Sequence, residues 1–383
     1  MKNNQKKIAF LLTSLVSGGE ERTASVLAKT LAQREELIVV LFNKPIDFQL
    51  PDDIPVHVLR PEYRWRVWRL VTLVSIVWQY YRFCQREGIT HSIAFDSLPN
   101  FVNALIKMLG WRGVAVLRES NHVSTRYPAN TFRGQLFRWL IKKLYPKANQ
   151  VLVNANRIGE DLRKNYKVQI PIHLSLNPLD LPYIQKSTET DLTSAIEPFT
   201  FVHVGMFRAQ KNHHLLLQAF SQLRDLPVRL WIVGKGDLAD TIKQQIINLR
   251  LEEKVALKGF HANPYPFMAN ADCMVLSSNY EGAPNVLSEG LACCLPIIST
   301  DCPTGPREII APNTPPNKRV QTEIELAEYG ILTPVSNAEK LAEAMRFMYE
   351  SDRYRKGDFF KKRVEPFRVE RIVAELLEVL EAT

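Results

Sequence analysis

Apolar runs and helical repeats alternate along the chain, and this alternation limits the possible folds more than any other feature of the sequence. Lys7–Val16 is a continuous apolar run, as in a parallel strand covered on both faces. Ala24, Leu27, Ala28 and Leu31 follow with the spacing of one helix face. Further strands are predicted at Leu37–Phe42, Thr90–Phe95, Val114–Arg118 and Gln150–Asn154, with a helix over residues 64–86. This order predicts an α/β fold with a doubly wound parallel sheet.

A second series of strands and helices begins after a proline-containing break. The break spans Asn177–Pro198 and includes three prolines, so we predict an interdomain linker there. Strands then recur at Thr200–Val204, Leu230–Val233, Val255–Leu257, Cys273–Ser277 and Pro296–Ser299. A chain of 383 residues suits two domains of about 150–200 residues each. We predict domains over residues 1–180 and 198–364, with a last helix, about 365–383, that packs back on the first domain.

The excess of positive charge lies entirely in the first half of the chain. Residues 1–180 contain 26 Lys and Arg against 14 Asp and Glu, whereas residues 181–383 contain 23 against 26. This asymmetry favours an anionic partner for the first half, such as a membrane surface, a nucleic acid or a phosphorylated substrate. No recognised nucleic-acid motif is present, so we do not expect nucleic acid as the partner.

The cysteines and the start of the chain favour the cytoplasm. None of the five Cys forms a Cys-x-x-Cys pair, and Cys293 and Cys294 lie in an apolar stretch, as expected of small core residues in a reducing compartment. The first apolar run is about nine residues long and leads into Gly-Gly-Glu-Glu, not into a cleavage site of small residues. A buried first strand is therefore a better interpretation than a signal peptide.

One loop in the second half carries the clearest chemical signal. A predicted strand ends near Ser277, a loop with Gly282 follows, and a helix is predicted to begin near Asn285. The free N–H groups of a helix start form a phosphate site. Glu281 and Glu289 on either side would repel phosphate but suit hydroxyl-rich groups, such as a sugar and a ribose. An ordinary helix start with two surface acids is the alternative.

This loop resembles the signature of glycosyltransferase family 4, which is Glu-x7-Glu within Glu-Gly-x-Pro-Asn-Val-Leu-x-Glu. Residues 204–213 resemble the family's strand and basic loop, and residues 259–264 resemble its base-contacting loop. Residues 299–308 resemble a subset that builds bacterial surface polysaccharides. In the first half only Gly18-Gly19 and the layout match. The resemblance implies the GT-B fold, with two facing Rossmann-like domains and an interdomain cleft, and a transferase that retains anomeric configuration.

The resemblance also implies roles for individual residues. Glu281 would face the donor sugar, and Glu289 would hydrogen-bond the ribose hydroxyls. Phe260 lies in the loop that would contact the base.

The same resemblance implies how the donor phosphates are held. The N–H groups of Asn285, Val286 and Leu287 would hold the distal phosphate and the sugar, and Lys211 would neutralise the leaving diphosphate. The chemistry supports a cation there, since negative charge grows on the phosphate oxygens as the glycosidic bond breaks.

The chain departs from the family pattern at one cationic position. The common form has Arg immediately after the Gly that ends the strand, where this chain has Met206. Arg208 lies two positions later, and either substitutes for the missing Arg or is a solvated loop charge. Lys211 keeps its place.

Two stretches of the first half are candidates for ligand contact. Gly18 and Gly19 lie between the first strand and the first helix, where they allow a donor phosphate close to the helix start. A plain tight turn is the alternative. Arg118, Glu119 and His122 follow a strand at the edge where open α/β sheets bind ligands. We assign them to the acceptor or sugar side, unless they satisfy one another.

Two basic and aromatic stretches of the first half predict contact with a membrane. Residues 64–82 combine Arg with Trp and Tyr, and residues 132–143 combine Phe and Trp with Arg and Lys. Arg with Trp on a helix is typical of the membrane interface, and the uncharged run Leu70–Tyr81 is too short to span a bilayer. We expect a peripheral protein at the inner face of the cytoplasmic membrane. Ordinary packing helices with solvated charges are the alternative.

Two patterns bear on cofactors. Gly234-x-Gly236-x-x-Ala239 resembles a dinucleotide fingerprint, but it lies in the second strand–helix unit of its domain, whereas that fingerprint belongs to the first. There is no Asp-x-Asp pair of the kind that holds a divalent ion on a diphosphate. Lys211, Arg208 and the helix starts would do that work, so we predict no metal and no other cofactor.

Together these patterns predict a retaining glycosyltransferase of surface polysaccharide biosynthesis. The donor would be a nucleotide diphosphate sugar, with UDP favoured by resemblance, and the acceptor a saccharide or a polyprenyl-diphosphate-linked saccharide. One rival is a nucleotide-sugar epimerase of the same fold, which would turn over donor without acceptor. The other is a basic binding protein without turnover, which would be indifferent to Glu281→Ala.

Overall fold

The structure consists of two compact units, each built on its own sheet. The computed structural model describes residues 6–16, 18–43, 50–59, 69–189 and 198–382. The first unit holds the chain up to Pro178 and from Val369 on, and the second holds Leu179–Arg368. Within the described ranges, no helix is both long enough and apolar enough to cross a membrane.

The first unit contains a doubly wound parallel sheet. Its strands are β1 (Lys7–Leu12), β2 (Glu36–Leu41), β3 (Val56–Val58), β4 (His91–Phe95), β5 (Val114–Glu119), β6 (Gln150–Val153) and β7 (Ile172–Leu174). Six of its helices are α1 (Gly19–Leu31), α2 (Arg69–Arg86), α3 (Ser97–Met108), α4 (Val123–Arg126), α5 (Phe132–Leu144) and α6 (Asn156–Tyr166). The strand order is β3-β2-β1-β4-β5-β6-β7, so the chain reverses its direction across the sheet between β1 and β4.

The apolar pattern of the sequence explains this unit. All residues of β1 after Lys7 are buried, as a parallel strand covered on both faces requires. Ala24, Leu27 and Leu31 form one apolar face of helix α1. This face packs into the same core and is thereby removed from water. Phe10 of β1 packs edge-on against Phe95 of β4, with ring centroids 5.0 Å apart.

The second unit repeats this plan with one antiparallel strand at the edge. Its strands are β8 (Phe199–Val204), β9 (Val228–Val233), β10 (Val255–Gly259), β11 (Cys273–Leu276), β12 (Ile297–Thr300), β13 (Glu325–Leu326) and β14 (Gly330–Thr333). Its helices are α7 (Leu181–Ser187), α8 (His213–Phe220), α9 (Ala239–Asn248), α10 (Tyr265–Ala269), α11 (Asn285–Ala292), α12 (Pro306–Ile310) and α13 (Ala338–Glu350). The order is β10-β9-β8-β11-β12-β14-β13, and among these described strands β13 alone runs antiparallel to its neighbour. The predicted α/β class with two Rossmann-like domains is confirmed.

The linker predicted over Asn177–Pro198 is wrong in its first part, because that part contains helix α7. Asp180 caps this helix by accepting a hydrogen bond from the Tyr183 N–H at 3.1 Å. Pro182 lies in the first turn, where a missing N–H costs nothing. Pro182, one of the three prolines that suggested a break, therefore begins a helix, while residues 190–197 lie outside the described residues.

The dinucleotide-like glycines of the second unit have a packing role. A Cβ on Gly234, which has φ 157°, would lie 1.9 Å from the Gly205 carbonyl oxygen. A Cβ on Gly236 would lie within 3 Å of the Phe207 backbone. Glycine at both positions lets the loop after β9 approach the loop after β8, and this accounts for the pattern without a dinucleotide.

The last helix, α14 (Val369–Glu381), belongs to the first unit although it follows the whole second unit in sequence. Ile372, Val373, Leu376 and Leu380 are buried in the core that also contains the apolar face of α1. The helix completes the first unit by covering apolar surface that its own strands leave open.

Leu376→Ala tests this role of α14. The substitution removes buried methyl groups and leaves a cavity, so we expect the free energy of unfolding of the first unit to fall by about 2–5 kcal/mol. Five of the six Trp lie before residue 179, so Trp fluorescence during urea denaturation follows mainly this unit. Glu378→Ala, at an exposed position of the same helix, is the control and should change stability by less than about 0.5 kcal/mol. Equal midpoints for both variants would contradict the assignment.

Candidate active site

Five loops follow β10, β9, β8, β11 and β12 and lie side by side at one edge of the second sheet. The Gly234 N–H donates to Gly259 O at 2.8 Å, and the Gly205 N–H donates to Val233 O at 3.0 Å, so neighbouring strand ends stay in register. Adjacent strands are about 4.8 Å apart, so the row extends about 19 Å. Ligands of open α/β sheets bind at this edge.

A largely buried ion pair lies in the middle of this row. Lys211 Nζ is 2.6 Å from Glu281 Oε1, and the two side chains are 17% and 7% exposed. Ser278 Oγ donates to the same carboxylate oxygen at 2.6 Å, and Gln210 Nε2 donates to the other at 3.3 Å. The Glu281 carboxylate is therefore held on both oxygens. The sequence predicted separate roles for Lys211 and Glu281, and the structure brings them into direct contact.

Local backbone structure fixes Lys211 in this place. The residue ends a short 3₁₀ helix, Ala209–Lys211, and Asn212 follows in the left-handed conformation with φ 48°. Asn212 Oδ1 then caps α8 by accepting from the Leu215 N–H at 3.2 Å. Ser277 Oγ donates to Lys211 O at 2.8 Å, which ties the loop after β8 to the end of β11.

Two neutral histidines lie beneath the Lys211 side chain. Burial lowers the pKa of His203 to about 4 and the pKa of His213 to about 2, and the nearby Lys211 lowers both further. His203 Nδ1 donates to Val275 O at 2.9 Å, which fixes this ring as the neutral tautomer with hydrogen on Nδ1. Because neither ring is charged at neutral pH, they add no cation beside Lys211.

Helix α11 starts without a side-chain cap. Its N-cap residue is Pro284, and Asn285, Val286 and Leu287 form the first turn. The Leu287 N–H donates to Pro284 O at 3.1 Å, so the three predicted amide donors are not equivalent. Glu289, further along the helix, is 4% exposed, so the structure buries the residue predicted to bind ribose.

The loop after β12 braces the loop that carries Glu281. Thr304 Oγ1 donates to Glu281 O, and a Cβ on Gly305 would lie 2.1 Å from Gly282 O. Gly305 has φ 87°, so only glycine fits both the conformation and the space.

A buried arginine anchors this bracing loop. Arg307 Nη2 is 2.6 Å from Asp301 Oδ2 and 3.0 Å from Glu325 Oε2, and Arg307 is 1% exposed. Removing one partner of such a pair strands a buried charge, so the network stabilises one loop geometry strongly. Sequence reasoning missed Asp301 and Arg307 as supports, although both lie in the motif at residues 299–308.

An exposed aromatic residue and a lysine lie toward the β10 end of the row. Phe260 is 47% exposed, and Lys235 Nζ lies 3.9 Å from its ring centroid. The pair offers a flat apolar face and a positive charge about three strand spacings, or about 14 Å, from Glu281. Sequence reasoning named Phe260 but missed Lys235.

In the first unit, Gly18 precedes α1 as an N-cap without a side-chain hydrogen bond. A Cβ on Gly18 would lie 2.1 Å from Glu21 Oε2, so a carboxylate already occupies this space. Gly19 is the first residue of α1 and Glu20 the second. The predicted donor contact of Gly18 and Gly19 stays a prediction, while Ser17 lies outside the described residues.

The predicted acceptor-side residues have separate partners. Arg118 is 1% exposed, and its guanidinium donates to Ser175 Oγ at 3.0 Å and Asn177 Oδ1 at 2.8 Å, while burial lowers its pKa to about 10. His122 Nδ1 lies 3.7 Å from Asp161 Oδ2. The geometry gives Arg118 a bracing contact between β5 and the segment after β7, and its contact with an acceptor stays a prediction.

Glu119 is enclosed at the end of β5. Tyr145 Oη donates to its carboxylate at 2.6 Å, and the Asn121 N–H donates at 3.2 Å. Burial raises the pKa of Glu119 to about 7, although the nearby Arg126 opposes the shift.

Comparison with known proteins identifies the family. The model for Glycosyltransferase Family 4 matches residues 17–182, and the model for Glycosyl transferases group 1 matches residues 186–357. The chain is 30% identical, over 98% of its length and 99% of the relative's, to N-acetylgalactosamine-N,N'-diacetylbacillosaminyl-diphospho-undecaprenol 4-alpha-N-acetylgalactosaminyltransferase of Campylobacter jejuni. The chain belongs to glycosyltransferase family 4. The enzyme is also 25% identical, over 77% of its length and 80% of the relative's, to the amylovoran biosynthesis glycosyltransferase AmsD of Erwinia amylovora.

Solved structures confirm the fold of this glycosyltransferase as GT-B. The Anabaena protein HepE in complex with UDP matches with TM-score 0.75 and 19% identity, over 98% of this chain and 100% of that one. Sucrose-phosphate synthase from Thermosynechococcus elongatus matches with TM-score 0.83 and 17% identity, over 99% of each chain. At these identities the likeness concerns the fold alone.

The sequence offered Arg208 as a substitute for the cation that the glycosyltransferase pattern has in place of Met206. Arg208 is exposed at the start of the 3₁₀ helix, and within the described part of the chain its side chain makes no hydrogen bond or ion pair. Its N–H donates to Met206 O at 2.8 Å. The structure thus does not bring Arg208 to the Lys211–Glu281 pair, and its catalytic role stays a prediction.

No cluster of three or more His, Cys, Asp or Glu in the described ranges is arranged to hold a metal ion. Whether the glycosyltransferase needs a metal is a separate question, and its independence of metals stays a prediction.

Glu119→Gln tests the raised pKa by the pH dependence of stability. The folded state keeps a proton on Glu119 up to about pH 7, whereas the unfolded chain releases it near 4.5. The contribution of this group is fully present below about pH 4.5 and is lost as the pH rises to about 7. We expect the variant to lose less stability than the wild type across this window in urea denaturation. Glu160→Gln, at an exposed position, should keep the wild-type slope, and the same slope in Glu119→Gln would contradict the assignment.

Proposed function

We propose that this glycosyltransferase retains anomeric configuration and uses a UDP-sugar donor, which binds along the strand-end row of the second unit. The observation that carries the proposal is the fixed Lys211–Glu281 pair beside the uncapped start of α11. It places a cation, a carboxylate and helix N–H groups together, which is the chemistry that a sugar diphosphate requires.

The start of α11 and Lys211 would share the diphosphate. The N–H groups of the first helical turn and the positive end of the helix dipole attract a phosphate. Lys211 adds a full charge where negative charge develops on the leaving diphosphate. A ligand phosphate would also draw Lys211 away from Glu281, which frees a carboxylate oxygen for a sugar hydroxyl.

The row of loops has the length that a nucleotide sugar needs. About 14 Å separates the Phe260 face from Glu281, and this suits a base at one end and a sugar at the other. Glu289 would take the ribose hydroxyls between them, with its carboxylate edge as the acceptor. UDP would be the leaving group, and protein cations would neutralise its negative charge. We therefore propose that neither a metal nor another cofactor is required.

The acceptor is proposed to be a saccharide attached to a lipid diphosphate. The Campylobacter relative is named for a diphospho-undecaprenol acceptor, and the Erwinia relative for amylovoran biosynthesis. The same kind of acceptor would place this enzyme in surface polysaccharide biosynthesis. Glu119 and His122, near the strand ends of the first unit, are candidate groups on the acceptor side.

A membrane surface is the proposed partner of the first unit. Helix α5 exposes Phe132, Leu136 and Trp139, at 83%, 42% and 57%, and exposed Lys142 and Lys143 follow on the same helix. Aromatic side chains with lysines suit the interface of an anionic membrane. We propose peripheral binding at the inner face of the cytoplasmic membrane and no role for nucleic acid. Of the first predicted basic and aromatic stretch, residues 64–68 lie outside the described residues.

A thermal-shift panel of nucleotide diphosphates and nucleotide sugars tests the proposed donor. UDP and one UDP-sugar should raise the melting temperature, because a ligand that binds only the folded state stabilises it. EDTA should leave the UDP shift unchanged if no metal is needed. Absence of any shift with every nucleotide diphosphate would overturn the proposal.

Lys211→Ala tests the leaving-group role. Because the cation acts most strongly on the charge of the transition state, we expect kcat to fall by about 10²–10³-fold, with a much smaller change in the acceptor KM. The measurement is release of UDP from the donor found in the panel. Lys243→Ala, an exposed lysine on α9, is the control and should retain the wild-type kcat. Equal loss in kcat and in acceptor affinity would remove the proposed role.

Trp139→Ala combined with Phe132→Ala tests the membrane surface. Loss of two exposed aromatic anchors should reduce co-flotation with vesicles containing about 30% anionic lipid by several-fold, and salt should weaken the binding further. Ile247→Ala, an exposed apolar residue of the second unit, should float as the wild type does. Unchanged flotation of the double variant would show that α5 is not the contact.

A further inference from the structure

The order in which the chain adds strands to the first sheet reverses between β1 and β4. Loops that follow strands on the two sides of such a point diverge, and the crevice between them is where open α/β sheets bind ligands. The end of β1 leads into α1, and the end of β4 leads into α3 through Asp96. Neither the proposed donor contacts nor the structural core accounts for the polar groups gathered here.

Three carboxyl groups lie close enough to one another here to interact electrostatically. Glu20 lies in the first turn of α1, Asp96 follows β4, and Glu119 ends β5. Burial raises the pKa of Glu20 well above its usual value, and the charges of Asp96 and Glu119 raise it further. Arg126 is the cation that opposes these shifts.

Two of the three carboxyl groups are already satisfied by the protein. Arg126 binds Asp96 through two hydrogen bonds of 2.6 and 3.0 Å, and the Ser97 N–H donates to Asp96 at 2.8 Å. Tyr145 Oη and a backbone N–H donate to Glu119. Among the residues that the structure describes, Glu20 is the carboxyl group of the three without an equivalent set of contacts.

Two buried polar atoms of the crevice make no hydrogen bond of normal geometry within the described part of the chain. Glu20 Oε1 and Ser120 Oγ are both buried, and neither has a hydrogen-bond partner of normal geometry among the described residues. Ser120 is only 8% exposed, and its hydroxyl lies close enough to lower the pKa of Glu20. A buried polar atom that makes no hydrogen bond destabilises the folded state, so the pair favours a ligand that satisfies both atoms.

A hydroxyl group fits these two atoms, whereas a phosphate does not. A hydroxyl can donate to Glu20 and accept from Ser120, and it can reverse these roles if Glu20 is protonated. A phosphate would meet three carboxyl groups with Arg126 already bound to Asp96. A saccharide supplies several hydroxyls in fixed positions.

We propose that Glu20 and Ser120 bind a hydroxyl group of the acceptor saccharide in the crevice between β1 and β4, with Asp96 and Glu119 as its fixed walls. The proposal rests on the proposed function, since it assigns the acceptor to this unit. It assigns the hydrogen bond with the acceptor to Glu20 rather than to the neighbouring Glu21.

Binding of p-nitrophenyl glycosides tests the crevice without turnover. The probes are p-nitrophenyl glycosides of glucose, galactose and their N-acetyl derivatives, measured by saturation-transfer NMR and calorimetry. We expect the wild type to bind at least one glycoside, and Glu20→Ala to weaken its Kd by about tenfold. Ser120→Ala should weaken the Kd by a few-fold, and Glu20→Gln should recover part of the affinity, since an amide oxygen still accepts. Glu160→Gln, an exposed acid of the same unit, should bind as the wild type does.

A parallel titration with UDP separates the two proposals. Unchanged UDP affinity with weakened glycoside affinity in Glu20→Ala supports the crevice. Glycoside binding that is unchanged in both Glu20→Ala and Ser120→Ala, or absent in the wild type, overturns it and leaves ordered water as the occupant. A third outcome is possible: the wild type binds a glycoside but no UDP, and the variants lose the glycoside. This outcome would overturn the proposed donor and support the crevice. If Glu20→Ala lowers the melting temperature of the protein, the glycoside affinity of Ser120→Ala alone tests the proposal.

Discussion

The Lys211–Glu281 ion pair is the interaction around which the strand-end row of the second unit is arranged. Its 2.6 Å contact joins the loop after β8 to the loop after β11. The second loop is in turn held by Thr304 and by the close approach of Gly305, and the buried Arg307–Asp301 pair anchors that support. The contacts of Lys211 and Thr304 with the Glu281 loop join segments that are distant in sequence, whereas Arg307 and Asp301 lie within one segment. The strength of the arrangement therefore comes from mutual bracing, and one broken link should loosen the others.

Much of this site could be predicted because its chemistry lies in short segments. Glu281 and the start of α11 lie within a few residues of each other, so their spacing shows in the sequence. The α/β fold could be predicted for a similar reason, because buried parallel strands are continuous apolar runs. What could not be predicted depends on tertiary contact. The sequence shows Arg118 as a charge at a strand end, but only the packing of Ser175 and Asn177 around it shows that both of its terminal nitrogens already donate hydrogen bonds.

The errors have physical causes of the same kind. Pro182 suggested a break in the chain, yet proline in the first helical turn is favourable when a residue such as Asp180 caps the helix. Glu20 drew no attention beside Gly18 and Gly19, because its burial and its missing partner depend on β4 and β5. Strands β3 and β13, with three and two residues, are too short to show any periodicity. Sequence patterns thus locate the chemistry of each segment, whereas packing decides which groups remain available.

The position of α14 has a consequence for how the enzyme is made. Its apolar face completes the core of the first unit, but the ribosome adds this helix only after the entire second unit has been synthesised. Domains generally fold as units in the order in which they emerge. Here the first unit lacks the helix that covers its core until translation ends, whereas the second unit can fold completely before that. The emerging chain therefore exposes apolar surface for the time needed to translate about 190 residues, which is roughly 10–40 s at ordinary rates of synthesis. During this interval the first unit, not the second, is the part of the chain whose core is incomplete.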